Sequence, residues 1–234
     1  MRTLSLFVRS KAFDLLSLAL PIVYLSELSK KSQYPFSDVD TSNQIVFIHV
    51  PKTAGSSILK QIFNLQHNGH YRPTHYLSKD KRLYESSKKV AVVRNPWDRI
   101  VSGFHYLKQG VGKGKYARKF VHDYLKDIPD FQAFVLRMMS DDKFLADVMQ
   151  WDHFRPQWDF ITLDDKYCID LLGRYEDLEQ FTEQFCKLID EPYKKLKRIN
   201  SSNRDDYRSY YTNEMMEFVY QIYRKEIDFL GYDY

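Results

Sequence analysis

In Ile45-Val-Phe-Ile-His-Val-Pro-Lys-Thr-Ala-Gly-Ser-Ser57, an apolar, β-rich run of strand length stops at Pro51 and gives way to a loop of small residues. Apolar residues at Ile58, Leu59, Ile62, Phe63 and Leu65 then follow at helical spacing. The order is strand, loop, helix. Small residues let backbone N–H groups close on an anion, and the positive end of the following helix points at the same place. Lys52 adds a point charge, while Thr53, Ser56 and Ser57 add hydroxyls. Pro51, Lys52, Thr53, Ala54, Gly55, Ser56 and Ser57 are therefore candidate phosphate-binding residues. The nucleotide-kinase pattern G-x-x-x-x-G-K-[ST] is absent from the chain, and here Lys52 precedes the single Gly55.

A second unit of the same kind follows. Val90-Ala-Val-Val93 is a short strand, Arg94 ends it, and Asn95-Pro96 has the cap and first-turn residues of a helix start. Trp97, Ile100, Val101 and Phe104 continue at helical spacing. The motif Arg94-Asn-Pro-Trp-Asp-Arg-Ile-Val-Ser102 puts a guanidinium at the strand end and a hydroxyl two turns into the helix, which suits a second phosphate. Asp98 and Arg99 read as surface or structural ion-pair residues. Leu171-Leu-Gly-Arg-Tyr175 is a candidate third strand. Repeated strand-to-helix units predict an α/β fold, with a central parallel sheet flanked by helices.

Together the two motifs resemble the sulfotransferases that use 3′-phosphoadenosine-5′-phosphosulfate (PAPS), and most closely the carbohydrate-type branch, sulfotransferase family 2. Arg155-Pro-Gln157, Ile169 to Leu178, Tyr207 to Tyr211 and Ile227 to Tyr232 have similar counterparts in that family. Ala54 and Ser56 stand where the family often has Gly and Thr, and both keep the loop small. The resemblance implies a P-loop-like fold and transfer of a sulfuryl group from PAPS to a carbohydrate hydroxyl, with no metal. It implies that Lys52 to Ser57 hold the 5′-phosphosulfate, with Lys52 stabilising the leaving group. Arg94 and Ser102 would bind the 3′-phosphate, and the loop from Asn200 to Arg208 would cover the nucleotide. The family places a catalytic His between the two motifs, where His67, His70 and His75 cluster. Thr74-His-Tyr-Leu-Ser78 matches the family segment best, so His75 is the expected general base, with His70 as the alternative. A zinc site made from these three has no fourth ligand at recognisable spacing.

Composition is consistent with this reading. The chain has 234 residues, 44% apolar and 28% charged, with 8 Gly, 8 Pro and 2 Cys. Collagen-like, low-complexity and disulfide-scaffold classes are excluded. A formal charge of +4 suits a small anionic ligand better than a nucleic acid. Cys168 and Cys186 read as buried thiols, and Trp151, Arg155 and Trp158 as core residues or a sugar-facing surface. The basic stretch Lys108 to Lys119 reads as a solvated loop or a glycan contact.

Residues 1–43 are expected to be an N-terminal extension ahead of a catalytic domain spanning 44–234. In the extension, Arg2, Arg9 and Lys11 precede the apolar run Leu15 to Leu25, which reads as a packing helix or a short membrane or targeting segment. The run falls short of the roughly 20 apolar residues that a span needs. Ser26 to Gln44 reads as a polar linker. A cytoplasmic and a membrane-associated, Golgi-type location both fit. The rival functions are another phosphate-loop enzyme (a kinase or nucleotide hydrolase) and a non-enzymatic binder of an anionic polymer or membrane.

Overall fold

The computed structural model describes residues 21–32, 34–65, 69–110, 114–196 and 204–234. Three parallel strands form the central sheet, in the order β1 (Ile45–Ile48), β2 (Lys88–Val93), β5 (Leu171–Arg174). Ile48 pairs with Ala91 and Val93 with Arg174, so the carboxyl ends of the three strands open on one edge. A two-residue antiparallel ladder, β3 (Thr162–Leu163) with β4 (Lys166–Tyr167), lies apart from it.

Strand residues alternate between two cores, as a sheet covered on both faces requires. Val46, Ile48, Ala91 and Val93 face the larger core, and Ile45, Phe47, Val90 and Val92 face the smaller one. The smaller core is closed by α3 (Gly55–Phe63) through Ile58 and Ile62, and by α11 (Leu178–Leu188) through Phe181 and Phe185. Burying each of these side chains stabilises the fold by roughly 1.5–3 kcal/mol.

The remaining helices cover the other face. The first four are α1 (Ile22–Ser32), α2 (Asp38–Asn43), α4 (Pro73–Lys79) and α5 (Lys81–Ser86). α6 (Pro96–Lys108) and α7 (Lys115–Phe120) follow, and α7 runs into a π-turn at Val121–Leu125. α8 (Phe131–Ser140), α9 (Asp142–Met149), α10 (Trp158–Ile161) and α12 (Asn213–Leu230) complete the set. Asn95 caps α6 as expected, its side chain accepting the N–H of Trp97 at 3.0 Å, with Pro96 in the first turn.

Ser26 to Gln44, expected to be a linker, is largely helical. Ser37 and Asp40 form a reciprocal capping box that starts α2, and Asp40 also accepts the Phe47 N–H at 3.3 Å, fixing the entry into β1. Ile22, Val23 and Leu25 of α1 are 1%, 1% and 3% exposed, within the larger core. Within the expected linker Phe36 and Asp40 are buried as well, so tertiary burial overrides the polar composition that suggested it. The expected membrane or targeting segment lies mostly outside the described residues, among which no helix is long and apolar enough to cross a membrane.

Candidate active site

The loop after β1 has an unusual backbone. Lys52 and Ala54 take φ of 70° and 69°, while Thr53 between them does not. Alternation of this kind turns successive N–H groups towards one concavity, the geometry of an anion nest. Thr53 donates its hydroxyl to the carbonyl of Val50 at 2.9 Å, pinning the loop to the strand exit. Ser57 is buried in the first turn of α3, whereas Ser56 faces solvent. Gly55 has a steric cause: a Cβ there would land in the ring of His49. Pro51 closes β1 and is buried.

Arg94 and Ser102 come together as expected, with Nη1 of Arg94 3.3 Å from Oγ of Ser102. The same nitrogen donates to the Lys52 carbonyl at 3.0 Å, tying the second motif to the first. The guanidinium lies on the Tyr175 ring at 3.8 Å, so the residue that follows β5 also shapes the site. Arg94 pairs with Asp98 through Nε at 2.8 Å and Nη2 at 2.6 Å, and Asp98 is shared with Arg204. Gln157 brackets the Arg94 backbone, accepting its N–H and donating to its carbonyl, each at 2.8 Å. Glu226, fully buried, accepts from Gln157 in turn at 3.1 Å.

Lys52 extends over the ring of Tyr106, with Nζ 3.9 Å from its centre. Burial first, and then the nearby Arg94 and Arg204, push its pKa down to about 7. An electropositive pocket that holds an amine near neutrality is primed for an anion, since a negative ligand restores the ammonium.

Three imidazoles gather beside the loop. Nδ1 of His70 lies 3.1 Å from the carbonyl of His49, and the two rings sit 4.6 Å apart. A carbonyl only accepts, so His70 carries a proton on Nδ1. The His70 ring meets that of His153 edge-on at 5.6 Å, and His153 stacks on Tyr106 at 5.1 Å. Two chains of contact therefore run from His70 to the loop, through His49 to Gly55 and through His153 and Tyr106 to Lys52.

His75, the expected base, is placed differently. It occupies the third position of α4, and its Nδ1 accepts the backbone N–H of Arg72 at 3.0 Å. Its Nε2 faces Oε1 of Glu27 at 3.0 Å, and the ring is 5% exposed. With one nitrogen accepting and the other donating, no lone pair remains to take a substrate proton. This geometry gives no support to His75 as the base. Pro73 in the first helical turn was the available signal, because it makes residue 75 the one that completes a cap. His67, the third member of the cluster, lies outside the described residues.

Other expectations resolve more simply. Arg99 is not on the surface; it is fully buried and donates to the carbonyls of His153 and Arg155 at 3.3 and 2.6 Å. Trp151 is a core residue stacked on Phe120 at 4.6 Å. Trp158 is half-buried and donates through Nε1 to Asp165 at 2.5 Å. Cys168 and Cys186 are free thiols, Cys186 buried and Cys168 partly so. Asn200 and the centre of the basic stretch at 111–113 lie outside the described residues. Among the described residues, no group of three or more His, Cys, Asp or Glu is arranged to hold a metal ion.

Residues 37–233 match the family model described as "Sulfotransferase family". Neither a curated protein nor a solved structure matches the chain.

Proposed function

The chain belongs to the sulfotransferase family, and from that premise we propose that it transfers a sulfuryl group from PAPS to a carbohydrate hydroxyl. One observation carries the donor assignment. Lys52 of the first loop and Arg94 of the second are joined by a 3.0 Å hydrogen bond, which sets the two candidate phosphate-binding elements side by side. A doubly phosphorylated nucleotide matches that spacing of function. The nest from Lys52 to Ser57 takes the 5′-phosphosulfate end, and Arg94 with Ser102 takes the 3′-phosphate. Arg204, paired with Asp98, adds a further cation beside Arg94.

The residues present suit in-line transfer. Lys52, protonated once an anion fills the loop, neutralises the charge that grows on the bridging oxygen as its bond to sulfur breaks. We place the general base at His70 rather than His75. Support comes from the His49 carbonyl contact that fixes the orientation of the His70 ring and from the two contact chains that bring the ring to the loop. His70 takes the acceptor's hydroxyl proton as the new oxygen–sulfur bond forms. The products are a sulfate ester and 3′,5′-ADP. The carbohydrate acceptor follows from the resemblance of the two motifs to the carbohydrate-type branch.

The test is calorimetry with 3′,5′-ADP, then labelled-sulfate transfer from PAPS to desulfated chondroitin, desulfated heparin, a lactosamine polymer, a steroid, a phenol and a tyrosine peptide. Micromolar nucleotide binding and transfer to a glycan are expected. Binding of ATP with Mg²⁺ but not of 3′,5′-ADP would replace the reading with a kinase or hydrolase. Transfer to the steroid, phenol or peptide alone would remove the carbohydrate.

A further inference from the structure

α1 precedes the matched span 37–233, yet it touches both segments that carry the imidazoles at the loop. Oε1 of Glu27 pairs with Nη2 of Arg72 and lies 3.0 Å from Nε2 of His75. Because the Arg72 N–H donates to Nδ1 of His75 at 3.0 Å, these three residues close a ring. His70 lies two residues upstream of Arg72, and Tyr71 between them is buried in the larger core. Oε2 of Glu27 turns the other way, 3.9 Å from Nη2 of Arg155. One turn along the same helix, Lys30 donates to Oδ1 of Asp152 at 2.5 Å and sits 3.5 Å from Glu27. Asp152 and Arg155 flank His153, whose ring meets that of His70.

We propose that Glu27, assisted by Lys30, is a positioning residue for sulfuryl transfer. Its two oxygens tie the His70 segment to the His153 segment and so set the angle at which His70 faces the phosphate loop. The inference rests on the reading of His70 as base. A plain structural peg between two packed segments does not need ions. Apolar side chains of similar volume serve as well or better, since desolvating charges offsets much of their attraction. What a carboxylate hydrogen-bonded to Arg72 and His75 and ion-paired with Lys30 and Arg155 adds is direction, because the hydrogen-bonded partners are held at a defined angle. Burial works against the charge on Glu27, but His75, Lys30 and Arg72 outweigh it and keep the carboxylate ionised.

The experiment compares the intact chain with Glu27→Gln, Glu27→Asp, His70→Ala and the Glu27→Gln/His70→Ala double variant. Transfer is measured from labelled PAPS to whichever panel glycan the intact chain sulfates fastest. Rates are expressed per site that binds 3′,5′-ADP, which removes any misfolded fraction. Glu27→Gln is expected to lower kcat about 10-fold, with KM for PAPS and affinity for 3′,5′-ADP within twofold. Glu27→Asp, which keeps the charge but shortens the reach, is expected to lose about 3-fold, and it stands in if the Gln variant does not fold. In the His70→Ala background the Glu27 substitution is expected to cost nothing further, because there is no base left to aim. Hydrogen exchange at the Arg72 amide is expected to rise in Glu27→Gln.

Full kcat in both Glu27 variants, or the same fold loss with and without His70, overturns the proposal and leaves Glu27 a structural residue. Full activity of His70→Ala overturns instead the reading on which the proposal rests.

Discussion

Nζ of Lys52 lies 3.9 Å above the ring of Tyr106, while Arg94 donates to the carbonyl of the same lysine. The amine is thus held over an aromatic face with cations beside it, and in the free site its pKa is about 7. An anion in the loop raises that value, so binding above pH 7 takes up a proton. Affinity for 3′,5′-ADP is therefore expected to be greatest just below pH 7, where Lys52 is charged and the ligand's phosphates are still ionised. It falls by up to about tenfold per pH unit above that, until the pKa of the complex is reached. Calorimetry at pH 8 in buffers of different ionisation enthalpy should report the uptake. No uptake, or an unchanged slope in Lys52→Ala, would refute the assignment.

The two histidines separate cleanly by experiment. His70→Ala is expected to lower transfer at least 100-fold while leaving 3′,5′-ADP affinity within twofold. His75→Ala removes a buried partner from Glu27 and from the Arg72 N–H, and is expected to cost about 2 kcal/mol of stability. A thermal melt and a single-turnover assay on each variant decide the matter. A fully active His70→Ala protein would send the base role elsewhere.

Gly55→Ala places a Cβ in the ring of His49 and is expected to cost about 2 kcal/mol. For a chain of this size the melting temperature should fall by about 4–8 °C. Nucleotide affinity should fall as well, because His49 and the loop cannot both keep their places. Ala54→Gly is the control at the neighbouring left-handed position, with φ of 69°, and should preserve binding. Equal behaviour of the two variants would argue against the steric account.

Arg94→Lys keeps a charge but loses the fork that spans Asp98, Ser102 and the Lys52 carbonyl. Affinity for 3′,5′-ADP is expected to drop about tenfold or more, and that for 5′-AMP less than threefold. Competition binding of the two nucleotides measures the difference. Parallel losses would place the 3′-phosphate away from Arg94.

What sequence alone revealed was local. Ile45 to Ser57 and Val90 to Ser102 announce strand, turn and helix through periodicity and through Pro, Gly and Asn at positions where each has a specific backbone use. The third strand, Leu171 to Arg174, was recognisable for the same reason. The Arg94–Ser102 pair was also within reach, since eight residues of strand end and helix fix its geometry. Other features join distant parts of the chain and leave no local trace. Arg204 meets Asp98 across 106 residues, Gln157 meets Arg94 across 63, and Arg72 meets Glu27 across 45. His75 is hard to read from sequence because a helix-capping imidazole and a catalytic one can occupy similar surroundings. Only the direction of its two nitrogens tells them apart.

The docking of α1 also bears on how this protein should be handled at the bench. A fragment cut to the matched span would begin at residue 37 and would lack Ile22, Val23 and Leu25, all buried in the larger core. Their loss would forfeit on the order of 5 kcal/mol, a large part of an ordinary domain's margin. It would also leave Arg72 and Arg155 facing water where Glu27 had been. Such a fragment is a poor choice for expression, and an inactive one would say nothing about whether the intact chain is an enzyme.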